Sequence, residues 1–177
     1  MRRGEVMQVS TDTVWQWLSE VPDPEIPVIS LTDLGIIRDV SWDEDTLVVT
    51  VTPTYTGCPA TSVINLDIET KLRSCGIDDL RLEQKLSPAW TTDWLTAEGR
   101  EKLREYGIAP PSETQDERGA GTDARVARLT GLRTLVVACP RCGSQNTEMI
   151  SQFGSTPCKA AYRCRACLEP FDYFKCH

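Results

Sequence analysis

Apolar side chains at Val14, Trp17, Leu18 and Val21 recur with the three-and-four spacing of one helical face. This predicts a helix over residues 10–21, capped by Ser10 or Thr11, with Asp12 suited to its first turn. The stretch VPDPEIP ends it, because Pro22, Pro24 and Pro27 cannot continue a helix and stiffen the loop. The period then changes to two. Leu47, Val49 and Val51 alternate with Val48, Thr50 and Thr52, so residues 36–42 and 46–52 read as strands joined by the acidic turn DEDT. A second helical face follows, from Pro59 to about Cys75, with apolar positions Ala60, Ile64, Ile68, Leu72 and Cys75. DLRLEQKL, residues 79–86, alternates as a third strand, and SPAWTTDWLTAEGREKLREYGI reads as a turn and another helix. The pattern is that of an α+β domain over residues 1–108, with a three-stranded sheet and packed helices.

Residues 109–133 are polar, rich in Gly and Pro and without apolar period, which predicts a flexible linker. Residues 134–177 form a small module in which LVVA, NTEMIS, KAAYR and PFDYFK are strand-like segments. At 177 residues and 40% hydrophobic, the chain can bury one core and a small second one. No run of about 18 apolar residues is present, so no membrane span is expected. MRRGEVMQVSTD has no apolar stretch of the secretory type, and the expected location is the cytoplasm. Residues 1–108 hold 10 Lys+Arg against 19 Asp+Glu, net −9, which argues against nucleic-acid binding. Of five tryptophans, Trp90 and Trp94 flank a polar TTD and are the expected exposed anchors.

Eight cysteines in a cytoplasmic chain point to metal rather than disulfides. Cys139 with Cys142, and Cys164 with Cys167, are two C-x2-C pairs with 21 residues between them. Each such turn sets two sulfurs about one coordination edge apart, and two turns supply four thiolates for tetrahedral Zn²⁺. So small a module cannot hold itself by burial alone, so metal is expected to supply folding energy. A rubredoxin-like iron site is the alternative for the C-P-x-C-G knuckle, and would make the module an electron carrier. Cys158, Cys176 and His177 are spare soft ligands.

Cys58 sits in TYTGCPATSV, at a strand-to-helix turn. Pro59 suits the first position of the following helix, making Cys58 the expected N-cap, where free backbone N–H groups favour an anion. Gly57 allows an unusual backbone angle. A nucleophile needs a base, and the only histidine is His177, so a ligand role fits Cys58 better. Asp23 and Glu25 lie in the proline-stiffened loop as candidate helpers, or as ordinary loop acids. A lone cysteine ligand also suggests a homodimer sharing one site.

DPEIP at 23–27, TDLGIIRDV at 32–40 and VTPTYTGCPA at 51–60 resemble the DUF59 domain of iron–sulfur assembly proteins, the fold shared with SufT. SPAWTTDWLTAEGREKL, FGSTPCK and EPFDYFK are similar to the PaaD (PaaJ) family of aerobic phenylacetate degradation. The resemblance implies an accessory or maturation protein of the phenylacetyl-CoA 1,2-epoxidase system. It would assist insertion of iron or a transient iron–sulfur cluster into the reductase or the oxygenase. It carries Cys58, Asp23 and Glu25 over as site residues, Cys158 as an auxiliary one, and the ribbon as a recognition element. A coupling subunit that docks oxygenase to reductase is the competing expectation. The chain lacks the Glu-x-x-His of a di-iron oxygenase and the G-x-G-x-x-G and C-x4-C-x2-C of a reductase, so it is not expected to be catalytic itself.

Overall fold

The computed structural model describes residues 8–111 and 137–175. Most of the predicted linker, the first residues of the predicted ribbon, Cys176 and His177 lie outside them. The chain divides into two compact units, residues 1–99 and 100–177.

In the first unit, helix α1 spans Thr11–Ser19, and its cap is Ser10, whose hydroxyl accepts from the Thr13 N–H at 3.2 Å. Val14 and Leu18 are fully buried, while Trp17 is half-buried. Strands β1 (Ile37–Asp43) and β2 (Thr46–Val51) form an antiparallel hairpin across the acidic turn. Helix α2 (Thr61–Ser74) then crosses over, and β3 (Leu80–Gln84) returns parallel to β2, giving the sheet order β1-β2-β3. The alternation read along residues 47–52 does not become an alternation of exposure. β2 is the central strand, and Val48, Thr50 and Thr52 are buried as well as Leu47, Val49 and Val51. The face read from α2 holds for Ala60, Ile64, Ile68 and Leu72, all buried, and Cys75 is half-exposed at the C-cap.

The segment after β3 is tied down more firmly than its polar composition predicts. Trp90 is 3% exposed, with its indole N–H donating to the Leu34 carbonyl at 2.8 Å. The expectation of an exposed Trp90 is therefore corrected: a buried indole needs one acceptor, and the TDLG turn supplies it. Trp94 closes a 3₁₀ turn at Thr92–Trp94 and is half-buried, with the Arg38 guanidinium 3.5 Å from its ring centre. Its backbone carbonyl would lie 2.5 Å from a side chain at Gly35, whose φ is +67°, so only glycine fits there. Asp33 is buried, accepting from the Thr96 hydroxyl and the Ser30 N–H.

Helix α3 spans Ala97–Tyr106. The second unit is built on a four-stranded sheet in the order β4-β7-β6-β5: β4 Ile108–Ala109, β5 Thr147–Ser151, β6 Lys159–Cys164 and β7 Pro170–Phe174. Ile108 and Ala109 pair in parallel with Asp172 and Tyr173, so residues at the expected end of the first domain and start of the linker form a strand of the ribbon sheet. Both are apolar and buried, a two-residue signal too short to register as a period. Val137 and Ala138, expected as strand, form none. The ribbon core joins Ala109, Val137, Ala160, Tyr162, Phe171 and Tyr173 to Cys139 and Cys164. Tyr162 stacks on Phe171 at 5.8 Å and meets Tyr173 edge-on at 5.7 Å.

Candidate functional site

Two turns bring the four ribbon cysteines together. The Gly143 N–H donates to the Cys139 carbonyl at 2.8 Å, and the Cys139 N–H donates to the Ser144 carbonyl at 2.9 Å, closing the first turn with Gly143 at φ +73°. In the second turn the Cys164 N–H donates to the Glu169 carbonyl at 3.0 Å, and Leu168 takes φ +67° at the matching position. The four Sγ atoms all lie within 4.8 Å of one another. Cys139 and Cys167 approach to 3.8 Å, and Cys142 and Cys164 to 3.6 Å. A regular tetrahedron with metal–sulfur bonds of about 2.3 Å has an edge of about 3.8 Å, so the donor set fits one tetrahedral ion.

The electrostatics point the same way. The Cys164 thiol is brought down to about 6, chiefly by the Cys167 backbone N–H aimed at its sulfur at 3.5 Å. Cys167 goes the other way, to about 12. The Glu169 backbone N–H favours its thiolate, but burial and the sulfurs of Cys164, Cys142 and Cys139 outweigh it. Cys164 gives up its proton more readily than an ordinary cysteine, and Cys167 needs a cation beside it to do so. Cys139 and Cys164 are buried, Cys167 is half-buried, and Cys142 is exposed.

Cys158 is not part of this group. It directly precedes β6 and lies six positions before Cys164, about 20 Å of extended chain. It is 6% exposed, with its sulfur 3.0 Å from the Thr156 hydroxyl. The same loop holds features that the sequence pattern did not single out. The Ser155 hydroxyl donates to Asp172 at 2.8 Å, and Lys159, buried, stands 3.9 Å from the same carboxylate oxygen. A charged residue inside a strand-like run was the available signal.

In the first unit, Cys58 lies between β2 and α2, half-exposed. The helix begins two residues later than expected: its first residue is Thr61 and its N-cap is Ala60. The placement of Cys58 as the helix N-cap is therefore corrected. Pro59 and Ala60 form a tighter turn, in which the Cys58 carbonyl accepts from the Thr61 N–H at 3.2 Å and the Thr61 hydroxyl at 2.9 Å. Gly57 takes φ +89° and faces open space. Asp23 shapes its own loop: Oδ1 accepts from the N–H groups of Glu25 at 2.9 Å and Ile26 at 2.8 Å. It is 7% exposed, whereas Glu25 is half-exposed. Among the described residues, Cys58, Asp23 and Glu25 do not form a closed metal-binding group.

Residues 11–78 match the family model of an iron–sulfur cluster assembly protein, and residues 123–175 match that of the PaaD zinc beta ribbon domain. A relative from Escherichia coli (strain K12), provisionally named as one of the subunits of 1,2-phenylacetyl-CoA epoxidase, is 47% identical over 163 residues, 92% of this chain and 91% of its own. A protein of Porphyromonas gingivalis (strain ATCC BAA-308 / W83), named an Fe-S protein maturation auxiliary factor, is 36% identical over 102 residues, 56% of this chain and 95% of its own. The crystal structure of a DUF59 domain from Bacillus anthracis is 25% identical, covering 52% of this chain and 89% of that one, with a TM-score of 0.49. With nearly half of its residues shared with the Escherichia coli relative across almost the full length of both, and with its four-cysteine module matching the family ribbon, the chain belongs to the PaaD family.

Proposed function

We propose that the chain is an accessory protein of a phenylacetyl-CoA epoxidase, assisting the insertion of iron or an iron–sulfur cluster into the reductase or oxygenase component. The observation that carries this reading is Cys58, a free, half-exposed thiol beside open space at Gly57, on a domain of the iron–sulfur assembly type. The names of the two relatives support it, one as an epoxidase subunit and one as a maturation factor. One thiolate holds a metal weakly, which suits a carrier that must release its cargo. Glu25 is the more accessible carboxylate of the DPE loop, and Asp23 acts by shaping that loop. The remaining ligands come from the client or from a second copy of the chain.

In the ribbon, Cys139, Cys142, Cys164 and Cys167 hold a structural Zn²⁺, which supplies folding energy to a module with a small core. Four protein ligands leave no open position, so the ribbon serves recognition rather than chemistry. Cys158 supports the loop beside it through Thr156.

The test is metal and sulfide content, with a visible spectrum, on protein purified without air. About one zinc per chain is expected, and any iron and sulfide found beside it is expected to be lost in Cys58→Ala. Iron without sulfide, lost on changing Cys139 or Cys164, would instead make the ribbon an electron carrier. The naming of the Escherichia coli relative as a subunit favours a second reading, a protein that couples oxygenase to reductase. That reading expects a stoichiometric complex in which Cys58→Ala is tolerated.

A further inference from the structure

The four ribbon ligands are unequally protected. Cys139 and Cys164 are buried, with backbone N–H groups tied to the Ser144 and Glu169 carbonyls. Cys142 is exposed, at the outer end of a turn where Gly143 faces open space. Its sulfur lies 3.6 Å from that of Cys164, nearer than the 3.8 Å of the Cys139–Cys167 pair. A sulfur that solvent reaches, with a second sulfur waiting beside it, is the arrangement of an oxidisable pair.

We infer that Cys142 is an oxidation site, and that peroxide joins it to Cys164 and ejects the ribbon's metal ion. The Cys142 sulfur attacks one oxygen of hydrogen peroxide. The O–O bond breaks, leaving a sulfenic acid and a hydroxide that takes a proton to become water. The Cys164 sulfur then attacks the Cys142 sulfur, the S–O bond breaks, and the second oxygen leaves as hydroxide and is protonated to water. Two electrons pass from the sulfur pair to the peroxide, and two protons are consumed. Cys139 and Cys167 alone do not complete a tetrahedral site, so the ion leaves. Because Cys164 also belongs to the ribbon core, the oxidation reaches the packing around Tyr162. A thiol reductant and fresh metal reverse it.

This rests on the reading of the ribbon as a zinc site, and the experiment separates the two. The full chain, purified without air and assayed for zinc, is titrated with hydrogen peroxide in the presence of a chromogenic chelator. Samples are quenched with acid and alkylating agent, and the first disulfide is mapped by mass spectrometry, which reads connectivity even if oxidised protein precipitates. The expected result is release of about one zinc per chain, in step with a Cys142–Cys164 disulfide. Zinc retained while other cysteines oxidise overturns the inference and leaves the ribbon reading standing. Release accompanied by a Cys139–Cys142 or Cys164–Cys167 bridge also overturns it. A chain that carries no zinc before peroxide is added contradicts the ribbon reading, and this inference with it.

Discussion

Gly35 and Gly57 share a positive φ, +67° and +89°, but differ in what surrounds them. A Cβ on Gly35 would lie 2.5 Å from the Trp94 carbonyl oxygen and 2.7 Å from the Trp94 Cβ, while a Cβ on Gly57 meets nothing within 4 Å. Alanine at Gly57 therefore costs only the backbone strain, about 1–2 kcal/mol. Alanine at Gly35 adds a collision with backbone and costs about 3 kcal/mol or more. Urea melts of the two variants check this, and equal losses would contradict it. The sequence offers both glycines without saying which is crowded, because the crowding comes from Trp94, 59 positions further on. Asp23 was legible as a loop acid, but its turn-shaping bonds to Glu25 and Ile26 were not. The convergence of the ribbon cysteines was legible, since C-x2-C spacing encodes local turn geometry.

Elements with a long apolar period were read with their faces intact. Ile68, fully buried on α2, and Leu66, 61% exposed two positions earlier, show how sharply that face is cut. Ile68→Ala is expected to cost about 2–5 kcal/mol, and Leu66→Ala under about 0.5 kcal/mol, in chemical denaturation. Similar losses at both positions would mean that α2 buries a different face. Element ends were read less well. The helix was expected to start at Pro59, but the Thr61 hydroxyl and N–H turn back onto the Cys58 carbonyl and hold the chain in a tighter turn. Strand β4 went unread because two residues have no period, and its partner, β7, is more than 60 positions away.

At the scale of the molecule, the chain separates into two compact units. The first buries a conventional core from α1, α2 and the sheet. The ribbon core includes two of the four clustered cysteines, Cys139 and Cys164. A strong chelator is therefore expected to unfold the ribbon and leave the first unit folded. Amide exchange should show protection lost in β5, β6 and β7 and kept in β1 to β3. Simultaneous loss in both units would contradict this division. Among the described residues, no helix is long and apolar enough to cross a membrane. The four-cysteine cluster was legible because each C-x2-C pair leaves a local signal. The fate of Cys58 was not, because among the described residues this chain does not assemble a closed ligand set around it.

The most direct measurement is the iron and sulfide content of the proposed client, the epoxidase reductase or oxygenase component, produced together with wild-type chain or with Cys58→Ala. The variant is expected to fold, keep its ribbon metal and leave the client short of iron and sulfide. A client fully loaded in the presence of Cys58→Ala would contradict a cargo-carrying role for this thiol.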